Sequence, residues 1–236
     1  MTSRRYPRID LGALALEAGA DLADAFLRLK KIYADIDRRN ATHTADLDLP
    51  CHRGCSGCCE EAVFLSPIEF FYAWDHAQRN LSDEVRNEIV ARGLRIYRQH
   101  QTLIDALSGP VPVGDHDHTS LAVQLRFRCP LLGAGGQCQV YEAREVYARL
   151  FGCSFNEESG IYGCDLVGAH LADRTLTLVR AKPAAERILA LPLSRFQQVY
   201  PWYFQWVYGA IGIEEQDDDD NKPQMPKSSL PIVSGD

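Results

Sequence analysis

Eight cysteines in two groups constrain this chain of 236 residues more than any other feature. Cys51, Cys55, Cys58 and Cys59 stand together in CHRGCSGCC, and Cys129, Cys138, Cys153 and Cys164 follow in the second half. Eight thiols would also suit a disulfide framework, but such frameworks staple small secreted domains. A chain of this length can bury a core of its own. Its start, MTSRRYPRID followed by LGALAL, meets Glu17 and Asp21 before any apolar stretch of signal length. That reads as neither a secretion signal nor a twin-arginine signal, and a cytoplasmic location is expected. Metal binding is then the better reading. Thiolates are soft anionic ligands suited to zinc, iron–sulfur clusters or copper(I). Gly54 and Gly57 permit a tight clasp, and the loop has no apolar residues besides its cysteines, unlike the surroundings of buried structural thiols.

The second group supplies further ligands. Leu121, Val123, Leu125 and Phe127 alternate with Ala122, Gln124, Arg126 and Arg128, a strand period that delivers Cys129 at its end. Gly133, Gly135 and Gly136 form a turn, and GQCQVY returns as a short strand, so a hairpin brings Cys138 near Cys129. Cys129-Pro130 resembles the cysteine–proline ending of ferredoxin loops. Cys153 and Cys164 lie in a loop after a helix expected over 142–150. All eight cysteines are candidate metal ligands, with an iron–sulfur cluster or zinc as the cofactor. Eight thiols exceed the four of a closed zinc site, which leans towards iron–sulfur, although two zinc ions would use eight as well.

Outside the cysteines the periodicity is helical. Apolar residues from Leu11 to Ile36 recur at steps of three and four, predicting one long amphipathic helix docked on the domain's own core. Ser66-Pro67-Ile68-Glu69 spells a capped helix start carrying Phe71, Tyr72 and Trp74 inward. A further helix is expected from Ser82 to about Leu107, a strand over Thr175 to Val179, and a last helix from about Ser194, kinked or begun near Pro201. The expected fold is mainly α with a small β-hairpin and short antiparallel strands, in a single metal-stapled domain. Residues 1–48 form its N-terminal helical part, 49–212 the cysteine-cluster domain, and 213–236 a disordered acidic tail. The formal net charge is −7, and six carboxylates sit in EEQDDDD between Glu214 and Asp220. The rest is nearly neutral and offers no basic field for nucleic acid. No apolar run is long enough to span a membrane.

In order and spacing these pieces resemble a family of zinc- or iron-chelating cysteine-cluster proteins named for a CxxCxxCC motif. The family's cysteine cluster ending in CC, leucine–serine or leucine–threonine helix cap with an acidic residue, CPxL, GxCxIYExRPxxCRxF and last cysteine stand here as CHRGCSGCC, LSPIE, CPLL, GQCQVYEAREVYARLF and Cys164. The resemblance runs from about Cys51 to His170, half the chain. It implies a metal site more than a reaction. One branch is similar to the flagellin lysine methylases, which implies protein lysine N-methylation as the alternative function, with a protein as substrate or partner. Three positions depart from the pattern: the first gap has three residues, Glu145 replaces a proline, and Ala148 replaces an arginine-flanked cysteine. Arg144, Arg149 and Phe151 are retained, and Cys153, five residues after Ala148, is expected to take the missing thiolate's place.

Cys51, Cys55 and Cys58 also match the spacing of radical enzymes that cleave S-adenosylmethionine, a second alternative. The usual aromatic before the last cysteine is Gly57 here, and no succession of strand–helix units follows; for the methylase alternative, no glycine-rich strand–turn–helix for a methyl-donor nucleotide is present. His52 is the best non-cysteine ligand candidate, although a bystander role is favoured. His116 and His118 read as loop residues and His76 as a helix residue. Trp202, Tyr203, Phe204 and Trp206 read as core or a partner interface, and Glu60, Glu61 and Glu142 as surface groups near the clusters.

Overall fold

The structure is a computed structural model and describes residues 5–50, 55–107, 124–156 and 159–210. The acidic tail, Cys51, His52, His116 and His118 lie outside the described residues. Among the described residues the chain is mainly helical, with two very small sheets, as the periodicity indicates.

The N-terminal stripe forms two helices, not one. α1 covers Leu11–Glu17 and α2 covers Leu22–Thr44. Gly19 turns the chain at φ +76°, and Asp21 restarts it by accepting hydrogen bonds from the amides of Ala23 and Asp24. The apolar period survives the break because both pieces dock on the same body, and a glycine in the left-handed region followed by an aspartate N-cap outweighs it locally. α2 buries Ala25, Leu29, Tyr33 and Ile36 against Ile68, Val146, Leu150 and Ala184.

α3 (Pro67–Asn80) begins where the Ser66–Glu69 pattern places it. The Glu69 carboxylate accepts from the Ser66 amide at 2.9 Å and the Ser66 hydroxyl at 2.8 Å. Its other oxygen accepts from Tyr33 Oη and the Val146 amide, both at 2.9 Å. One buried carboxylate thus ties α2, α3 and α5 (Val146–Leu150) together. α4 (Asp83–Ala106) starts on Ser82 and is kinked at His100.

α8 (Tyr200–Tyr208) begins at Tyr200 with Pro201 in its first turn, and among the described elements it pairs most extensively with α4. Gly93 permits this approach, since a Cβ there would come 2.3 Å from Phe204 Cδ2. The aromatic concentration is core: Tyr203 and Phe204 are fully buried with Phe70, Phe71 and Trp74. Phe70 stacks on Tyr203, and Trp74 Nε1 donates to Tyr208 Oη at 2.8 Å. Each such aromatic buries ~150–250 Å², so this cluster supplies much of the apolar burial that stabilises the fold.

The strands are two residues each. β1 (Phe64–Leu65) pairs antiparallel with β5 (Gln198–Val199). β2 (Ser154–Phe155) pairs antiparallel with β3 (Ile161–Tyr162) and parallel with β4 (Val179–Arg180), so one ladder departs from the all-antiparallel expectation. α6 (Asp165–Leu171) and α7 (Ala181–Glu186) connect these pieces. The strand expected to deliver Cys129 is absent among the described residues 125–128: Leu125 is buried and Arg126 exposed, so the alternation is real, but no neighbouring strand pairs with it. The hairpin contracts to one antiparallel bridge, Leu132 to Cys138.

Candidate functional site

Two backbone ties bring the cysteine groups together. The Cys129 amide donates to the Cys59 carbonyl at 2.7 Å, joining the first loop to the second group. The Gln139 amide donates to the Leu131 carbonyl at 3.0 Å, folding Cys138 back towards Cys129. Arg92 holds the Cys129-Pro130 turn to α4 by donating through Nε and a terminal nitrogen to the Pro130 carbonyl, at 3.1 and 2.9 Å.

The result is a cavity of about 850 Å³ whose wall contains Cys55, Cys58, Cys59, Cys129, Cys138 and Cys153. Six of the eight candidate ligands therefore face one space. Cys164 lies beside it: a Cβ on Gly57 would stand 3.7 Å from the Cys164 sulfur, so the last cysteine packs against the first loop. Cys51 is outside the described residues. All seven described cysteines are free thiols, each half-buried as a whole residue.

The thiols differ chemically. Cys58 and Cys59 sulfurs are 4.0 Å apart. Their mutual hydrogen bond lowers the Cys58 thiol to about 7 and raises that of Cys59, with desolvation adding to the rise. This pair gives up one proton readily and the second with difficulty, because two thiolates at that distance repel. Burial raises Cys129, and it raises Cys138 to about 11. The Glu145 charge also pushes Cys58, Cys129 and Cys138 upward, whereas Arg144 lowers Cys58 and Cys138. Four thiols, one carboxylate and one guanidinium thus share an electrostatic neighbourhood.

Glu145 is the residue that sequence reasoning noted as a departure and did not place in the site. It is 4% exposed, and its carboxylate accepts a hydrogen bond from Tyr200 Oη at 3.0 Å. Desolvation raises its pKa above the ordinary range. Burial likewise raises Tyr200, which the neighbouring Glu145 charge reinforces. The available signal was an acidic residue standing where the resembled pattern has proline.

Ala148 lies on α5 and lines the same cavity, on the wall that also carries Cys153. α5 ends at Leu150, and Gly152 turns the chain at φ +81°. The Cys153 thiol donates to the Arg149 carbonyl at 3.2 Å and the Leu150 carbonyl at 3.4 Å. Those are contacts of a protonated thiol, which Cys153 must surrender before it can ligate. Arg149 itself is buried and structural. It pairs with Asp37, donates to the carbonyls of Arg144 and Glu142, and lies 4.0 Å over the Tyr33 ring. Glu61 and Glu142 are exposed at the cavity wall, Glu60 pairs with Arg128, and His76 is a half-buried residue of α3.

The donor chemistry suits a thiophilic metal, since soft ligands from two chain segments face one partly desolvated space. As placed, no group of three His, Cys, Asp or Glu side chains among the described residues is close enough to hold a metal ion. No family model, curated protein or solved structure matches the chain. No helix of the described residues is long and apolar enough to cross a membrane.

Proposed function

We propose that this chain is a cytoplasmic metal-binding protein of the cysteine-cluster kind, with its thiols holding an iron–sulfur cluster or zinc. The observation that carries this reading is the gathering of Cys55, Cys58, Cys59, Cys129 and Cys138 on one cavity, although the two groups lie some seventy residues apart in sequence. Packing alone does not require five thiols at one place. The backbone bond between Cys129 and Cys59 fixes the two segments together without occupying either sulfur. Cys153 on the same wall, Cys51 at the start of the first loop in sequence and Cys164 packed against that loop complete the proposed donor set. A metal held between the first loop and the Cys129–Cys138 turn would couple its binding free energy to folding.

One observation favours a metal-dependent enzyme as the second reading. The cavity, at about 850 Å³, falls within the ~300–1,000 Å³ of small-molecule sites. A closed structural metal site needs no such space. Protein modification such as lysine N-methylation, or chemistry on S-adenosylmethionine, belongs to this reading.

The visible spectrum of anaerobically purified protein separates the two metals. Broad charge-transfer absorption near 400 nm is expected for iron–sulfur, and a colourless zinc-containing protein identifies zinc. Protein purified without oxygen or chelator that holds neither metal, and takes up neither on reconstitution, contradicts the proposal.

A further inference from the structure

A second cavity, of about 300 Å³, lies between α2 and the segment that runs from Leu178 through β4 and α7 to Arg187. Its floor is apolar, from Ile36, Leu178 and Ala184. Its polar wall is entirely basic: Arg39, His43, Arg180 and Arg187. This is unexpected in a chain with a net charge of −7.

Among the described residues the carboxylate paired with this wall is Asp35, and it is shared: it pairs with Arg187 at 2.6 Å, with Arg39 at 3.2 Å and with Arg38. Arg180 donates to a neutral group, the Ser159 hydroxyl, at 3.2 Å. Among the described residues neither Arg180 nor His43 pairs with a carboxylate. Like charges gathered around one hollow repel, although water screens the exposed parts of these side chains. An anion seated there relieves the repulsion.

The donor geometry selects the anion. Guanidinium forks engage tetrahedral oxyanions in pairs of hydrogen bonds. Arg39 Nε and one Arg187 nitrogen are held by Asp35 and one Arg180 nitrogen by Ser159, yet the guanidinium nitrogens left over, with the imidazole, still offer more donors than a carboxylate accepts and suit the three oxygens of a phosphoryl group. The volume stands at the lower end of ligand sites, which leaves room for a few carbons on the floor and no more. We propose that this hollow binds a small phosphomonoester, with its phosphoryl group among Arg39, His43, Arg180 and Arg187 and its carbon part on Ile36, Leu178 and Ala184. The site is independent of the cysteine-walled cavity.

Calorimetric titration of the full chain with glycerol 3-phosphate and with inorganic phosphate tests this. Saturable one-site binding is expected, tighter for glycerol 3-phosphate. Affinity is expected to fall by about tenfold or more in Arg180→Ala and in His43→Ala, and to stay unchanged in Arg126→Ala, an exposed charge that does not line the hollow. Arg180 is exposed and His43 half-buried, and neither belongs to a core cluster, so melting temperatures close to wild type are expected. Absence of saturable binding up to about 10 mM overturns the site. Equal losses in the Arg126→Ala control also overturn it, because they reduce the effect to net charge. Inorganic phosphate binding as tightly as glycerol 3-phosphate overturns the role of the apolar floor.

Discussion

Glu145 couples burial to acidity at the wall of the thiol cavity. Burial raises its carboxyl in the folded protein, while the unfolded chain keeps the ordinary value of 4.5. As pH rises past that value the unfolded state ionises first, so the metal-free fold loses stability until the buried carboxyl also ionises. Glutamine keeps an acceptor for Tyr200 and cannot ionise. Metal-free Glu145→Gln is therefore expected to match wild type at about pH 4 and exceed it at pH 7, as read by denaturant melts across that range. Parallel stability curves would show that Glu145 is not desolvated. Cys153 offers a second residue-level test. Its thiol already serves two carbonyls, so Cys153→Ser is expected to lose less metal than Cys58→Ser or Cys59→Ser. Equal loss would show that Cys153 gives up both carbonyls and ligates as fully as the first loop, as the departure at Ala148 suggested from sequence; no loss at all would remove it from the donor set.

Among the elements, Glu69 is the joint between α2, α3 and α5. Glu69→Ala strands the Tyr33 hydroxyl and the Ser66 and Val146 amides in the interior, at about 1–3 kcal/mol each. A loss of at least ~3 kcal/mol, or roughly 6–12 °C in melting temperature, is expected. A shift below ~2 °C would mean that water replaces the carboxylate. At the α4–α8 seam, Gly93→Ala sets the overlap with Phe204 against the better helix propensity of alanine. Overpacking of this kind costs about 1–3 kcal/mol and propensity returns about 1, so net destabilisation is expected. A stabilised Gly93→Ala would contradict the tightness of that seam. These elements were legible to different degrees. The Ser66–Glu69 start and the Ser82 start could be read because caps are local chemistry. The break at Gly19 was hidden by an apolar stripe that continues across it. The pairing of Phe64 and Leu65 with Gln198 and Val199 left no mark on either segment, because a two-residue ladder is too short to show a period and its partner is distant.

For the whole molecule, the mainly helical class followed from the spacing of apolar residues, and the convergence of the cysteine groups from their chemistry and the hairpin turn. The sequence could not show which sulfurs stand together, because their arrangement depends on long-range ties such as Cys129 to Cys59. Nor could it show the basic hollow, assembled from α2 and from residues more than a hundred positions later. If metal joins the two cysteine segments, its removal should loosen the entire fold. A chelator is expected to lower the melting temperature of the full chain in one cooperative step, and an unchanged melt would confine the metal to a dispensable loop. The most direct measurement is the metal content per chain of anaerobically purified wild type beside the double variant Cys58→Ser, Cys59→Ser. At least one zinc ion or one cluster's iron per wild-type chain, lost in the double variant, is the expected result. Equal content in both proteins, or none in either after reconstitution, would contradict a metal centre built on these thiols.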